Sequence, residues 1–389
     1  MESGQSGLHE AYVGAYTGFG PNARGNAEGI NIFRWNPGDG ALNQQGTLAG
    51  VENPTFLALH PSGRYLYAVN GSPSIDGHPG GAVSAFAIAP TTGDLTFINR
   101  QYTVGQGPSY VTIHRQTGRY LLAAGYHTGN VLVFRIETDG SLGPTTDVVE
   151  HHGTSVNPDR QDRPHPHSVN FDLAGRFALV CDLGLDRVFV YRFDANNGKL
   201  IPNDPPWATT PPGSGPRHLA VHPSGRFVFV INEIDSTLSS FRYDPEHGVL
   251  TTLENVSTIP EGFVGEPYTP DVQVGAAASR PPVVGTNFAS DVHVASSGRF
   301  VYGSNRGHDS IVIYGFDEAT ARLSLVGHQS TFGRTPRTFT IDPSGSLMFV
   351  PNQGSDNIVS FYVDAATGQL TPTGNVAASP TPTHVVLLD

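Results

Sequence analysis

The pattern of apolar and polar positions is clearest in GPRHLAVHPSGRFVFVINE, from Gly215 to Glu233. An apolar run starts at Arg217, a Pro-Ser-Gly turn occupies 223–225, and a second apolar run from Arg226 ends at Asn232-Glu233. Two short apolar runs joined by a tight Pro/Gly turn predict a β-hairpin. A hairpin brings its first and last residues to one end, so Arg217 and Glu233 are expected to face each other across that edge.

The unit recurs, with turn glycines at Gly63, Gly118, Gly175, Gly225, Gly298 and Gly345. Each copy is followed by another apolar strand (VSAFAIA, VLVFRIE, VFVYRFD, LSSFRYD, IVIYGFD, IVSFYVD), and a Gly-x-Leu-like turn then leads into a fourth. A four-stranded meander repeated at this period predicts an all-β chain, a β-propeller of antiparallel four-stranded blades. The N-terminal AYVGAYTG, INIFRWN and ALNQQGTLAG supply three strands, and the C-terminal PTHVVLLD supplies a first strand with nothing after it. Joined, they make a seventh blade that closes the ring and leaves no free sheet edge. Residues 1–389 therefore form one domain.

The repeat supplies a register. The first strand of each blade lines the central channel, so equivalent positions form rings around the axis. Eight residues before the turn glycine the ring reads Thr55, Tyr110, His167, Arg217, Ser290 and Arg337, with Thr383 from the last strand. Eight residues after it, the ring reads Gly71, Tyr126, Leu183, Glu233, Arg306 and Gln353. His167, Arg217, Glu233 and Arg306 are thus expected to converge from three consecutive blades on one channel mouth.

Two segments break the repeat. Residues 150–166, EHHGTSVNPDRQDRPHP, are rich in titratable and anion-binding side chains, lead straight into His167, and are expected to border a pocket. Residues 264–287, rich in Pro, Gly and Ala, are expected to form a lid or surface loop. Residues 1–10 read as a loose lead-in, and Gly71–Gly80 as a loop.

The net charge of −12, with only 22 Lys+Arg, argues against a nucleic-acid or anionic-membrane surface. The single cysteine, Cys181, excludes an intramolecular disulfide and reads as a buried packing residue. With neither a leader-like N-terminus nor a long apolar run, the expected setting is the cytoplasm, as a monomer or small homo-oligomer.

Plainer readings account for several conspicuous residues. His60 and His222 recur at a turn position, and Asn70, Asn232, Asn305 and Asn352, with Asp182, recur as strand-end caps. His151, His152, His165 and His167 lack a carboxylate at a ligand-like spacing, so no metal is expected. Arg217 with Glu233 also admits a purely structural ion pair.

Several segments carry a family resemblance: YVGAYT with GINIFRW, HHGTSVNPDRQDRPHPHSVNFD, GPRHLAVHPSGRFVFVINE, STIPEGFVGE and DVHVASSGRFVYGSNRGHDSIVIY. They resemble the seven-bladed propeller lactonases, which include propeller-type 6-phosphogluconolactonases and fungal 3-carboxy-cis,cis-muconate lactonising enzymes. The first four segments together are more similar to the bacterial phosphogluconolactonase branch. By position, the resemblance places the family's active-site His, Arg, Glu and Arg on His167, Arg217, Glu233 and Arg306. The long insertion between STIPEGFVGE and ASDVH departs from the pattern and bears on substrate identity.

The resemblance implies hydrolysis of a sugar lactone, with 6-phosphogluconolactone first and no cofactor. Residue types then assign roles: Glu233, the only carboxylate in the two rings, as general base, Arg217 and Arg306 as oxyanion and anion clamp, and His167 as proton donor to the ring oxygen. For a phosphorylated lactone, Arg160, Arg163, His165 and Arg337 are the nearest further cationic candidates, and Tyr110 and Gln353 from the rings are further substrate-binding candidates. Other readings stay open: a muconate-type lactonising cycloisomerase, a hydrolase of a different lactone, and a non-catalytic propeller that binds a partner across its face.

Overall fold

The computed structural model describes residues 9–18, 24–105, 107–265 and 287–388. Among these, seven four-stranded antiparallel sheets are arranged as blades, with each first strand at the inner edge. Blade 1 starts with Leu57–Leu59, blade 2 with Pro108–Ile113, blade 3 with Pro166–Phe171, blade 4 with Pro216–Val221, blade 5 with Phe288–Val294 and blade 6 with Thr340–Ile341. Blade 7 is built from both termini: Pro382–Leu388 is its inner strand and pairs with His9–Ala15, which pairs with Gly29–Trp35 and then Leu42–Ala49. The expected closure is therefore present. The terminal strands His9–Ala15 and Pro382–Leu388 are held to each other by ladder hydrogen bonds.

Each hairpin turn carries its glycine at φ between 65° and 77°, a left-handed backbone that only glycine adopts without strain. His60 and His222 each bond a turn serine through one ring nitrogen, and through the other the carbonyl of the next blade's turn glycine, Gly118 and Gly298. His114 makes the equivalent bonds to Thr117 and Gly175. These histidines stitch neighbouring blades together. The strand-end Asn232, Asn305 and Asn352 likewise spend their amides on neighbouring hydroxyls and carbonyls. Within Gly71–Gly80, expected as plain loop, Ser74–Ile75 pairs with His78–Pro79 in a small hairpin.

The core lies between blades. Strands of blades 3 and 4, for example, enclose Leu179, Cys181, Val190, Val228, Val230 and Phe241, and Cys181 is a buried free thiol there. Burial of such side chains stabilises by ~1.5–3 kcal/mol each, and the cost of freeing one blade falls on both neighbours. Most of the 264–287 insertion lies outside the described residues, as do residues 1–8.

Candidate active site

The ladder between first and second strands slips at one place in several blades. The register shifts between Pro166 and Ser168, between Pro216 and His218, and between Ala289 and Val292. The residues left out of the ladder are His167, Arg217 and the pair Ser290-Asp291. A β-bulge frees one residue from pairing and re-aims its side chain, which explains how first-strand residues reach the channel mouth.

Glu233 is the hub. Its Oε1 accepts a hydrogen bond from Arg160 Nη2 at 2.5 Å, and its Oε2 accepts from Arg217 Nε at 2.8 Å and Arg306 Nη2 at 2.7 Å. Burial alone would raise the Glu233 pKa, but Arg306, Arg160 and Arg217 together hold it well below the usual carboxylate range. Three guanidiniums on one buried carboxylate keep it ionised and occupy both oxygens.

Arg217 is only 1% exposed, and burial, then repulsion from Arg306 and Arg337, lowers its pKa to about 9. Its Nη1 donates to the Ser290 carbonyl, and it also meets His218 Nε2 at 3.1 Å. His218 Nδ1 lies 2.7 Å from Asp291 Oδ1, so the imidazole donates there and presents Nε2 as acceptor to the guanidinium. Asp291, His218 and Arg217 thus form a buried relay that orients the guanidinium toward Glu233.

His167 lines the same cavity as Glu233, Arg306, Arg160 and Arg337. Burial, followed by the positive charge of Arg217, holds its pKa well below the ordinary histidine value, and its Nδ1 is buried with no hydrogen-bond partner. The imidazole is therefore neutral near pH 7. That removes the reason for expecting His167 as an acid, which was its unperturbed pKa.

Of the other expected contact residues, Arg160 and Arg337 line the cavity and four do not. Arg163 is 62% exposed at its side chain and pairs with Asp162. His165 stacks on Tyr126 and bonds its carbonyl. Gln353 is buried in the turn Gln353–Ser355. Tyr110 gives its hydroxyl to Asn170 at 2.8 Å and packs on Phe56. The Tyr110 position is a register error with a plain cause: the blade 2 turn, His114 to Gly118, is one residue longer than His222 to Gly225. The true ring member is Ser109, which lines the cavity and donates to the His167 carbonyl at 3.0 Å. In the 150–166 insertion, His151 contacts Asp182 and Tyr191, and Asp182 holds the backbone N–H of His165, so this histidine is structural. Among the described residues, no three His, Cys, Asp or Glu side chains gather where one ion would join them.

Besides Ser109, the cavity residues that went unread in the sequence include Gly107, Pro108 and His127 beside it and, from blade 7, Tyr16 and Arg24. Tyr16 is the blade 7 member of the Glu233 ring. Its backbone N–H donates to Thr381 as that of Glu233 donates to Gly215. The register would have found it had the second ring, like the first, been carried into the seventh blade, whose hairpin is split between the termini. Arg24 sits in a loop and has no register to betray it.

The chain's similarity to known proteins identifies its family. Residues 10–387 match the family model "Lactonase, 7-bladed beta-propeller". The 6-phosphogluconolactonases of Bacillus subtilis and Formosa agariphila are 32% and 31% identical, each covering 86% of this chain, with 85% and 86% of their own lengths aligned. The solved periplasmic gluconolactonase of Pseudomonas aeruginosa superposes with a TM-score of 0.85 at 31% identity, over 98% of this chain and 99% of that one. With the family model spanning nearly every blade, the chain belongs to the seven-bladed β-propeller lactonases, carboxylic-ester hydrolases that open lactone rings.

Proposed function

We propose that the substrate is an anionic six-carbon sugar lactone, 6-phosphogluconolactone, opened to 6-phosphogluconate. The observation that carries this reading is the charge of the cavity: Arg24, Arg160, Arg306 and Arg337 line it against one carboxylate, Glu233. In a chain of net charge −12, four guanidiniums around one small cavity are costly unless an anion completes the site.

In this reading Arg217 and Arg306 stabilise the oxyanion that forms as water adds to the carbonyl. This electrostatic contribution is the largest one the site offers. Glu233, expected as general base, has both oxygens engaged by guanidiniums, which makes it a poor proton acceptor. We assign it instead to holding the arginines at their spacing. Water activation passes to His167, whose neutral imidazole keeps a lone pair. An anionic substrate offsets part of the positive field on His167 and so raises its basicity on binding.

The test is hydrolysis of freshly made 6-phosphoglucono-1,5-lactone beside unphosphorylated glucono-1,5-lactone, with the spontaneous rate subtracted. Acceleration of the phosphorylated lactone, lost in Arg306→Ala, supports the reading. No acceleration of either lactone overturns it.

A further inference from the structure

On the far side of the channel from His167 and Arg217, blades 6 and 7 place a second group of cations that the hydrolytic machinery does not use. Tyr16, only 9% exposed, lies between two guanidiniums: Arg24 Cζ is 5.9 Å and Arg337 Cζ 5.5 Å from its ring centroid. The backbone N–H of Arg24 donates to the Thr17 carbonyl, which fixes the base of the side chain, and its buried Nε has no hydrogen-bond partner. Both oxygens of Glu233 are taken up by Arg160, Arg217 and Arg306.

We propose that Arg24 and Arg337, with Tyr16 as the wall between them, form a subsite for the dianionic terminal group of the lactone, and that this subsite makes the site selective for a phosphorylated sugar acid over its unphosphorylated counterpart. The inference rests on the proposed function and deepens it. In a 1,5-lactone the terminal carbon hangs from the ring carbon that bears the leaving oxygen, so a group at that end projects away from the carbonyl. With the carbonyl against Arg217 and Arg306, the terminal group points across the channel. Guanidinium forks match the oxygens of a phosphate, and the Tyr16 hydroxyl supplies one more donor. Burial raises the Tyr16 pKa, yet Arg337 and Arg24 bring it below the ordinary phenol value, a measure of how strongly this corner favours negative charge. The relatives above carry two names, 6-phosphogluconolactonase and gluconolactonase, and this selectivity is the property that would separate the two activities.

Calorimetric titration with the two product acids, 6-phosphogluconate and gluconate, tests the subsite without turnover. The expected result is that the protein binds the phosphorylated acid at least about tenfold more tightly. In Arg24→Gln that preference should fall below about threefold while gluconate affinity stays within about twofold, and Arg24→Lys should recover part of it. Should Arg24→Gln not fold, Arg337→Gln serves in its place. Equal affinity of the wild type for both acids, or an Arg24→Gln variant that weakens both alike, overturns the proposal. A wild type that prefers the phosphorylated acid yet hydrolyses neither lactone keeps the subsite and sinks the hydrolytic reading, so the two failures are distinguishable.

Discussion

Arg160, from the loop that precedes blade 3, donates to Glu233 Oε1 at 2.5 Å, a contact between residues of different blades. An insertion that interrupts the repeat thereby supplies the third guanidinium on the central carboxylate and ties itself to the channel mouth.

Removing that guanidinium should loosen the site without unfolding the propeller. Arg160 is 27% exposed at its side chain, so Arg160→Ala is expected to cost about 1 kcal/mol of stability, well under the cost of breaking a fully buried pair. The effect on kcat/KM should be larger, about tenfold or more, because Glu233 then holds Arg217 and Arg306 less firmly. Thermal melts beside steady-state kinetics check the split, and a loss of stability with unchanged kinetics would refute it.

His167→Gln keeps a polar side chain of similar size but removes the proposed base. A positioned general base contributes roughly 10²–10⁴ in rate, and kcat should fall within that range with the melting temperature nearly unchanged. The wild-type pH profile carries a second signature. His167 is held well below 6.5 by burial and Arg217, so kcat/KM should stay flat above pH 6.5 and decline only in more acid solution. A wild-type midpoint at 6.5 or higher would contradict the assignment.

Stability should depend on pH through other buried histidines. Burial, with Arg24 and Arg217 respectively adding to it, lowers His127 and His218 to about 4, and burial lowers His384 to about 3. Between these values and the unfolded value near 6.5, the unfolded chain binds more protons than the folded one. Stability therefore rises with pH through that window and is fully present above it. Each group contributes up to about 1.4 kcal/mol per pH unit within the window. Melting temperature should fall steadily from pH 7 to pH 4.5, and His384→Gln should flatten the slope. A flat curve in the wild type would be inconsistent with these shifts.

Ring closure can be tested at Val385, which is fully buried beside Ala11, Val13 and Phe349. Val385→Asp puts an unpaired charge where the C-terminal strand seals blade 7, and it is expected to destabilise by more than about 4 kcal/mol, an exceptional loss for one substitution. Urea unfolding measures it, and a shift under about 1 kcal/mol would mean that the last strand closes nothing.

The hairpin repeat, the seven blades and their closure were legible in the order of residues alone, because a β-hairpin is a local object. Its turn glycine, its alternating runs and its strand ends all lie within about twenty residues. The placement of His167, Arg217, Glu233 and Arg306 followed from the same register, since identical hairpins around one axis repeat their geometry, and all four reach one cavity or its carboxylate. Where the local unit changed length, the reading failed: one extra residue between His114 and Gly118 moved the ring position from Tyr110 to Ser109. Tertiary structure alone decided the rest. Arg160 turns inward to Glu233 while Arg163, three residues later, turns out to Asp162, and no period distinguishes them in an irregular loop. Tyr16 and Arg24 reach the channel because the N-terminal strand pairs with the C-terminal one, a contact across almost the full chain. Electrostatics was equally invisible in the sequence. Whether Glu233 is a base or an anchor, and whether His167 is charged, depends on how many guanidiniums share one buried volume, and only the closed ring brings them together.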